Sequence, residues 1–156
     1  MGESLSATTV IDAPADVIFA VLADPSAHAA IDGTGWVREA LGGERLTGAG
    51  QTFRMAMYHG GHPNGHYQMV NEVLDFDPPR AISWKPGYDA GDGTLGFGGW
   101  TWRYDLEPAG PSRTRVTLSY DWSAVSEAIR ANIQFPPFAT DHLANSLTHL
   151  AQLTAT

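Results

Sequence analysis

Residues 100–122 read WTWRYDLEPAGPSRTRVTLSYDW, and the period of this stretch decides the fold. Trp100, Trp102, Tyr104 and Leu106 fall on one side of an extended chain, and Thr101, Arg103 and Asp105 on the other. Beyond the turn residues Ala109-Gly110-Pro111, Val116, Leu118, Tyr120 and Trp122 oppose Arg115, Thr117, Ser119 and Asp121. Successive side chains of a strand point to opposite faces, so this alternation marks antiparallel strands with one apolar face and one wet face. The turn between them suits a hairpin.

The same period extends towards the N-terminus. Ala81 to Lys85 is a short strand with Ile82 and Trp84 on one side. His66 to Phe76 is a longer one that stops at Asp77-Pro78-Pro79. Gln51 to His59 alternates Phe53, Met55, Met57 and His59 against Thr52, Arg54, Ala56 and Tyr58. Turn signals stand at Gly42-Gly43 and at Gly60 to Gly65. At the front, the β-branched run Thr8-Thr9-Val10-Ile11 marks a strand over Ser4 to Asp12. Pro14 then opens a helix with Val17, Ile18, Val21 and Leu22 as its apolar face, and Asp16 favours the helix dipole. Asp24-Pro25 ends it, and Pro25 to Ile31 forms a second short helix. Towards the C-terminus, Ser123 is the expected N-cap of a helix over Ala124 to Ile133. Phe135-Pro136-Pro137-Phe138 breaks that helix. Thr140 caps a final helix from Asp141 to about Thr154, with Leu143, Leu147, Leu150 and Leu153 as its apolar stripe.

This order predicts one α+β domain over residues 1–156. A curved antiparallel sheet wraps around a long C-terminal helix, and two short helices follow the first strand. One helix covers a concave sheet only in part, so an enclosed apolar cavity is expected, of about 300–1,000 Å³. A chain of 156 residues suits a single domain. It has no cysteine, which excludes disulfides, thiolate metal sites and a cysteine nucleophile. The net charge is -8 and Lys85 is the sole lysine, so a nucleic-acid footprint is missing. The early apolar run Val17 to Ala23 is short and flanked by Asp16 and Asp24, which predicts no membrane insertion and a cytoplasmic protein. Gly2 fits a myristoylation pattern loosely, with nothing basic behind it as a second anchor.

The sequence resembles the START/SRPBCC (helix-grip) superfamily, in its polyketide cyclase/dehydrase-like branch. The resemblance is carried by residues 8–19, TTVIDAPADVIF, by Asn71-Glu72-Val73 and by Asp77-Pro78-Pro79-Arg80. Later stretches add to it: Trp102-Arg103-Tyr104-Asp105-Leu106, Tyr120-Asp121-Trp122-Ser123 and Phe135-Pro136-Pro137-Phe138. It implies a helix-grip fold and an internal site for a hydrophobic or polycyclic small molecule. It does not imply one reaction, since members include lipid carriers, hormone receptors and aromatase/cyclases, and it brings no universal catalytic motif.

The candidate ligand-binding residues are Met55, Met57, Trp84, Trp100, Trp102, Tyr104 and Tyr120, joined by Phe138 and His142 from the covering segment. Aromatic rings either stack on a flat guest or fill the space between sheet and helix, and the residues leave both uses open. His142 and His59 are the candidate general acids or bases of a cofactor-free cyclase or dehydrase, the alternative to a binding protein. Phe138, His142, Asn145 and His149 form a stripe beside the leucines. His59, His62 and His66 have no helical spacing and no nearby carboxylate, so no metal is expected, and no cofactor. Only one of Asn71 and Glu72 can face inward, and the pattern leaves either. Arg54, Arg103 and Asp105 belong to the outer face, and Asp121 to the solvent side or to a helix cap. The six glycines between Gly87 and Gly99 make a loop, either a gate over the cavity or a loose hairpin connection. A homodimer through an exposed sheet edge is a further expectation.

Overall fold

A computed structural model describes residues 4–31, 37–41, 45–58, 66–89, 95–131 and 141–154. Strand β1 (Ser4–Ile11) leads into helix α1 (Ala15–Leu22), a 3-10 turn at Pro25–Ala27 and the short helix α2 (His28–Ile31). Seven strands follow: β2 (Val37–Leu41), β3 (Thr52–Tyr58), β4 (His66–Asp77), β5 (Ala81–Asp89), β6 (Leu95–Phe97), β7 (Thr101–Gly110) and β8 (Arg113–Asp121). Helix α3 (Glu127–Arg130) and the long α4 (His142–Thr154) complete the described chain.

The strands form one open, curved, antiparallel sheet in the spatial order β1-β8-β7-β5-β4-β3-β2, with β6 paired to β5. The expected architecture holds: α+β, a helix-grip arrangement, with two short helical segments after the first strand. Ile18 and Leu22 of α1, Leu143, Leu147 and Leu150 of α4, and Val116, Leu118 and Ile82 of the sheet share one buried cluster. The opposite sheet face carries ion pairs. Arg103 reaches Asp75 across strands at 2.7 Å and Asp105 along its own strand at 2.9 Å. Such exposed pairs contribute only about 0–1 kcal/mol each, so the inner face carries the stability.

Several expectations are corrected in detail. The glycine-rich stretch is not all loop: β5 continues past Lys85 to Asp89, and β6 pairs with its far half through Gly87↔Phe97. Gly87 makes this possible, because a Cβ there would sit 2.6 Å from the Phe97 ring and 2.5 Å from the Gly96 carbonyl oxygen. Lys85 Nζ closes over the same ring, 4.2 Å from its centre. Strands β6 and β7 therefore run along one edge of β5 as two pieces of a single interrupted strand. At the break Gly99 has φ +101, and a side chain there would press on the Ala124 carbonyl oxygen at 2.5 Å. The tip of the stretch, residues 90–94, lies outside the described residues.

Ser123 is not the cap of α3. Its N–H and hydroxyl both donate to Asp121 Oδ1, at 2.8 and 2.6 Å, which turns the chain before the helix begins. Ser126 takes the N-cap position, its hydroxyl accepting from the Ile129 N–H at 3.3 Å. Similarly Pro14 is the N-cap of α1 rather than a first-turn residue. On α4, Leu153 leaves the apolar stripe and is 47% exposed. Thr154, one turn beyond Leu150, takes the inward place and satisfies its hydroxyl on the Leu150 carbonyl at 2.8 Å. Thr140 and the Phe135–Phe138 segment lie outside the described residues.

Candidate ligand site on the concave face

Directly opposed residues of neighbouring strands share a face, and the registers gather the aromatic side chains on the inner one. Trp84 pairs with Trp102 and Trp102 with Tyr120. Ile82 pairs with Tyr104, and Phe53 with Asn71. The rings meet in two groups. In the first, Trp102 lies 4.5 Å from Tyr120, and Tyr120 lies 5.7 Å from Trp122. Helix α4 adds His142, whose ring stands edge-on to Trp102 at 5.7 Å and 81°. Burial pushes the Tyr120 phenol pKa up, so its hydroxyl stays protonated. In the second group, Trp84 lies 6.0 Å from Tyr104 and 5.8 Å from Phe53.

Met55, Tyr104, Tyr120 and His142 are buried, while Met57, Trp84, Trp100 and Trp102 are half-buried against the same cluster. His59, His62 and Phe138 lie outside the described residues, and of His66 only the backbone is described. The stripe on α4 divides by role. Asn145 is exposed, and His149 Nδ1 lies 3.1 Å from the Ile31 carbonyl, tying α4 to the end of α2. The alternation on β4 resolves in favour of Asn71, which is buried and faces inward with its Nδ2 3.5 Å from the Phe53 carbonyl. Glu72 faces outward, 4.0 Å from Lys85.

One residue escapes the sequence reading altogether. His28, the first residue of α2, is only 9% exposed and stacks on Trp84 at 5.1 Å and 21°. Its ring also meets Phe53 edge-on at 5.4 Å and 86°. Nε2 lies 2.9 Å from the Leu22 carbonyl, which can only accept, so Nε2 carries the hydrogen and Nδ1 the lone pair. Burial lowers the pKa below the ordinary 6.5, against the Leu22 hydrogen bond and the nearby Asp24 carboxylate, which raise it. The available signal was its setting: His28 is the one bulky side chain in Ala27-His28-Ala29-Ala30.

A pH dependence follows. The unfolded chain binds a proton at His28 as the pH falls through 6.5, while the folded chain resists it until a lower pH. Stability from this residue is therefore complete above 6.5 and declines in acid. Asp24, paired with Arg45 at 3.8 Å, is the charged neighbour that limits the loss. Urea unfolding of the wild type and His28→Gln at about pH 8 and pH 5.5 should show their stability difference narrowing in acid. A difference that widens would contradict a neutral, buried imidazole.

Among the described residues, no helix is long and apolar enough to cross a membrane, and no three His, Asp or Glu side chains gather as a metal site. A family profile described as polyketide cyclase/dehydrase and lipid transport matches residues 3–154. The uncharacterized protein Rv0088 of Mycobacterium tuberculosis is 29% identical over 152 residues, which cover 96% of this chain and 62% of that protein. The chain thus spans under two thirds of that relative's length. Three solved structures share the fold. Protein CV1439 of Chromobacterium violaceum has a TM-score of 0.69 at 19% identity, covering 100% of this chain and 99% of that one. Protein Ms6760 of Mycobacterium smegmatis has 0.67 at 18%, covering 97% and 90%. A Thalictrum norcoclaurine synthase, solved as a point mutant with a transition-state analogue, has 0.63 at 15%, covering 96% and 92%.

Proposed function

We propose, from the premise that the chain belongs to the polyketide cyclase/dehydrase and lipid transport family, that it holds a hydrophobic, ring-containing small molecule between the sheet and α4. One observation supports this above the rest. Trp84, Trp100 and Trp102 sit at or beside the inner face of the sheet, yet each keeps part of its surface accessible. In a fully packed interior, rings of this size would be sealed, because cores pack to crystal density. Accessible indole surface on a concave face is the lining a flat apolar guest requires. Met55 and Met57 on β3 add a wall that adapts to the guest's shape.

The test is fluorescence titration with 1-aminoanthracene, an apolar tricyclic probe. The expected result is saturation at about one equivalent with quenching of the tryptophans. Signal that rises without saturating would count against an internal site.

A second reading is a cofactor-free cyclisation or dehydration. It draws on the buried position of His142 at the edge of Trp102. An imidazole there would stand beside a guest on the aromatic wall, as a group that can take up or release a proton. It ranks second because the same contact serves a wall that only binds.

A further inference from the structure

We propose that His28 gives the interior a hydrogen-bond acceptor for a hydroxyl, its Nδ1 receiving the O–H of a phenolic or enolic guest that lies against Trp84 and Phe53. This deepens the binding function above and rests on it.

The ring of His28 is nine-tenths buried, and its hydrogen bonding is half used. Nε2–H donates to Leu22 at 2.9 Å, while Nδ1 makes no hydrogen bond among the described residues. The two nitrogens of an imidazole point to nearly opposite sides of the ring, so the lone pair faces away from α1's carbonyl. Nδ1 is not among the sealed side-chain atoms that lack a partner, so it keeps accessible surface and can receive a guest's hydroxyl. The neighbours define what else the guest must be. Trp84 stacks on one face of the imidazole and Phe53 meets its edge, so the surroundings are aromatic. Asn71, the cross-strand partner of Phe53, adds a buried carboxamide on the same face of the sheet. Two neutral polar groups on an aromatic floor suit a neutral hydroxyl-bearing ring system. They do not suit a carboxylate or phosphate, because among the described residues no cationic side chain makes a ring contact or hydrogen bond with His28, and the chain carries a net charge of -8.

The experiment compares 2-naphthol with 2-methylnaphthalene, which has the same shape and no hydroxyl, by calorimetric titration at about pH 7.5, where the naphthol is neutral. The wild type should bind 2-naphthol roughly two- to tenfold more tightly, the factor expected of one net hydrogen bond. His28→Gln keeps a donor for the Leu22 carbonyl but places no acceptor where Nδ1 stood, and should bind both probes equally. In ¹⁵N-detected NMR of the wild type, the Nδ1 resonance of His28 should move on adding 2-naphthol and stay in place with 2-methylnaphthalene. Equal affinity of the wild type for both probes, or a preference that survives in His28→Gln, overturns the role of His28 while leaving apolar binding intact. If 2-methylnaphthalene itself fails to bind, the binding function falls and the role of His28 falls with it.

Discussion

Leu150→Ala should lower the unfolding free energy by about 2–5 kcal/mol, the largest stability effect expected of one substitution on α4. Leu150 is fully buried and belongs to the same cluster as Ile18, Leu22, Val116 and Leu118. Removing its branched end loses the transfer free energy of the deleted groups and leaves a void that a close-packed interior closes only in part. The measurement is the urea midpoint, with an unchanged slope showing that the folded ensemble is otherwise preserved. Leu153→Ala is the control. Three residues further along the same helix and 47% exposed, Leu153 should cost no more than about 0.5 kcal/mol. Equal losses from the two would mean that α4 is rotated from the orientation described.

Trp102→Ala should weaken 1-aminoanthracene binding by about 1–3 kcal/mol, roughly 5- to 150-fold in affinity. Trp102 stands at the centre of the aromatic wall: its strand neighbours are Trp84 and Tyr120, and His142 of α4 meets its ring. Truncation removes the stacking surface but leaves the backbone ladder of β7 intact. Trp100→Ala, beside the Gly98–Gly99 break, should weaken the probe in the same direction. Unchanged affinity in both variants, each still folded by its thermal transition, would remove the tryptophans from the site.

The sheet was legible because its signal is a period of two repeated over several strands. Each strand with one wet face writes that period into its residues, as Trp102-Arg103-Tyr104-Asp105 does. The details that were missed depend on contacts remote in sequence. Nothing near Lys85 announces that β5 continues to Asp89, since that requires Phe97 to lie on Gly87. Ser123 has the right chemistry for a cap, but Asp121 captures its N–H first. Of the site, the inward aromatics followed from alternation alone, while the choice between Asn71 and Glu72 needed the register with Phe53. His28 stayed hidden because its role comes from Leu22, Phe53 and Trp84, on three different elements, and no local pattern encodes their meeting.

The proposed function requires that the concave face of the sheet and α4 enclose space for a flat apolar molecule. A crystal structure of the protein with 1-aminoanthracene tests it most directly. The tricyclic ring should lie in van der Waals contact, about 4 Å, with Trp102 on one side and α4 on the other. Side chains filling that interior throughout, with the probe absent or confined to the outer surface, would contradict it.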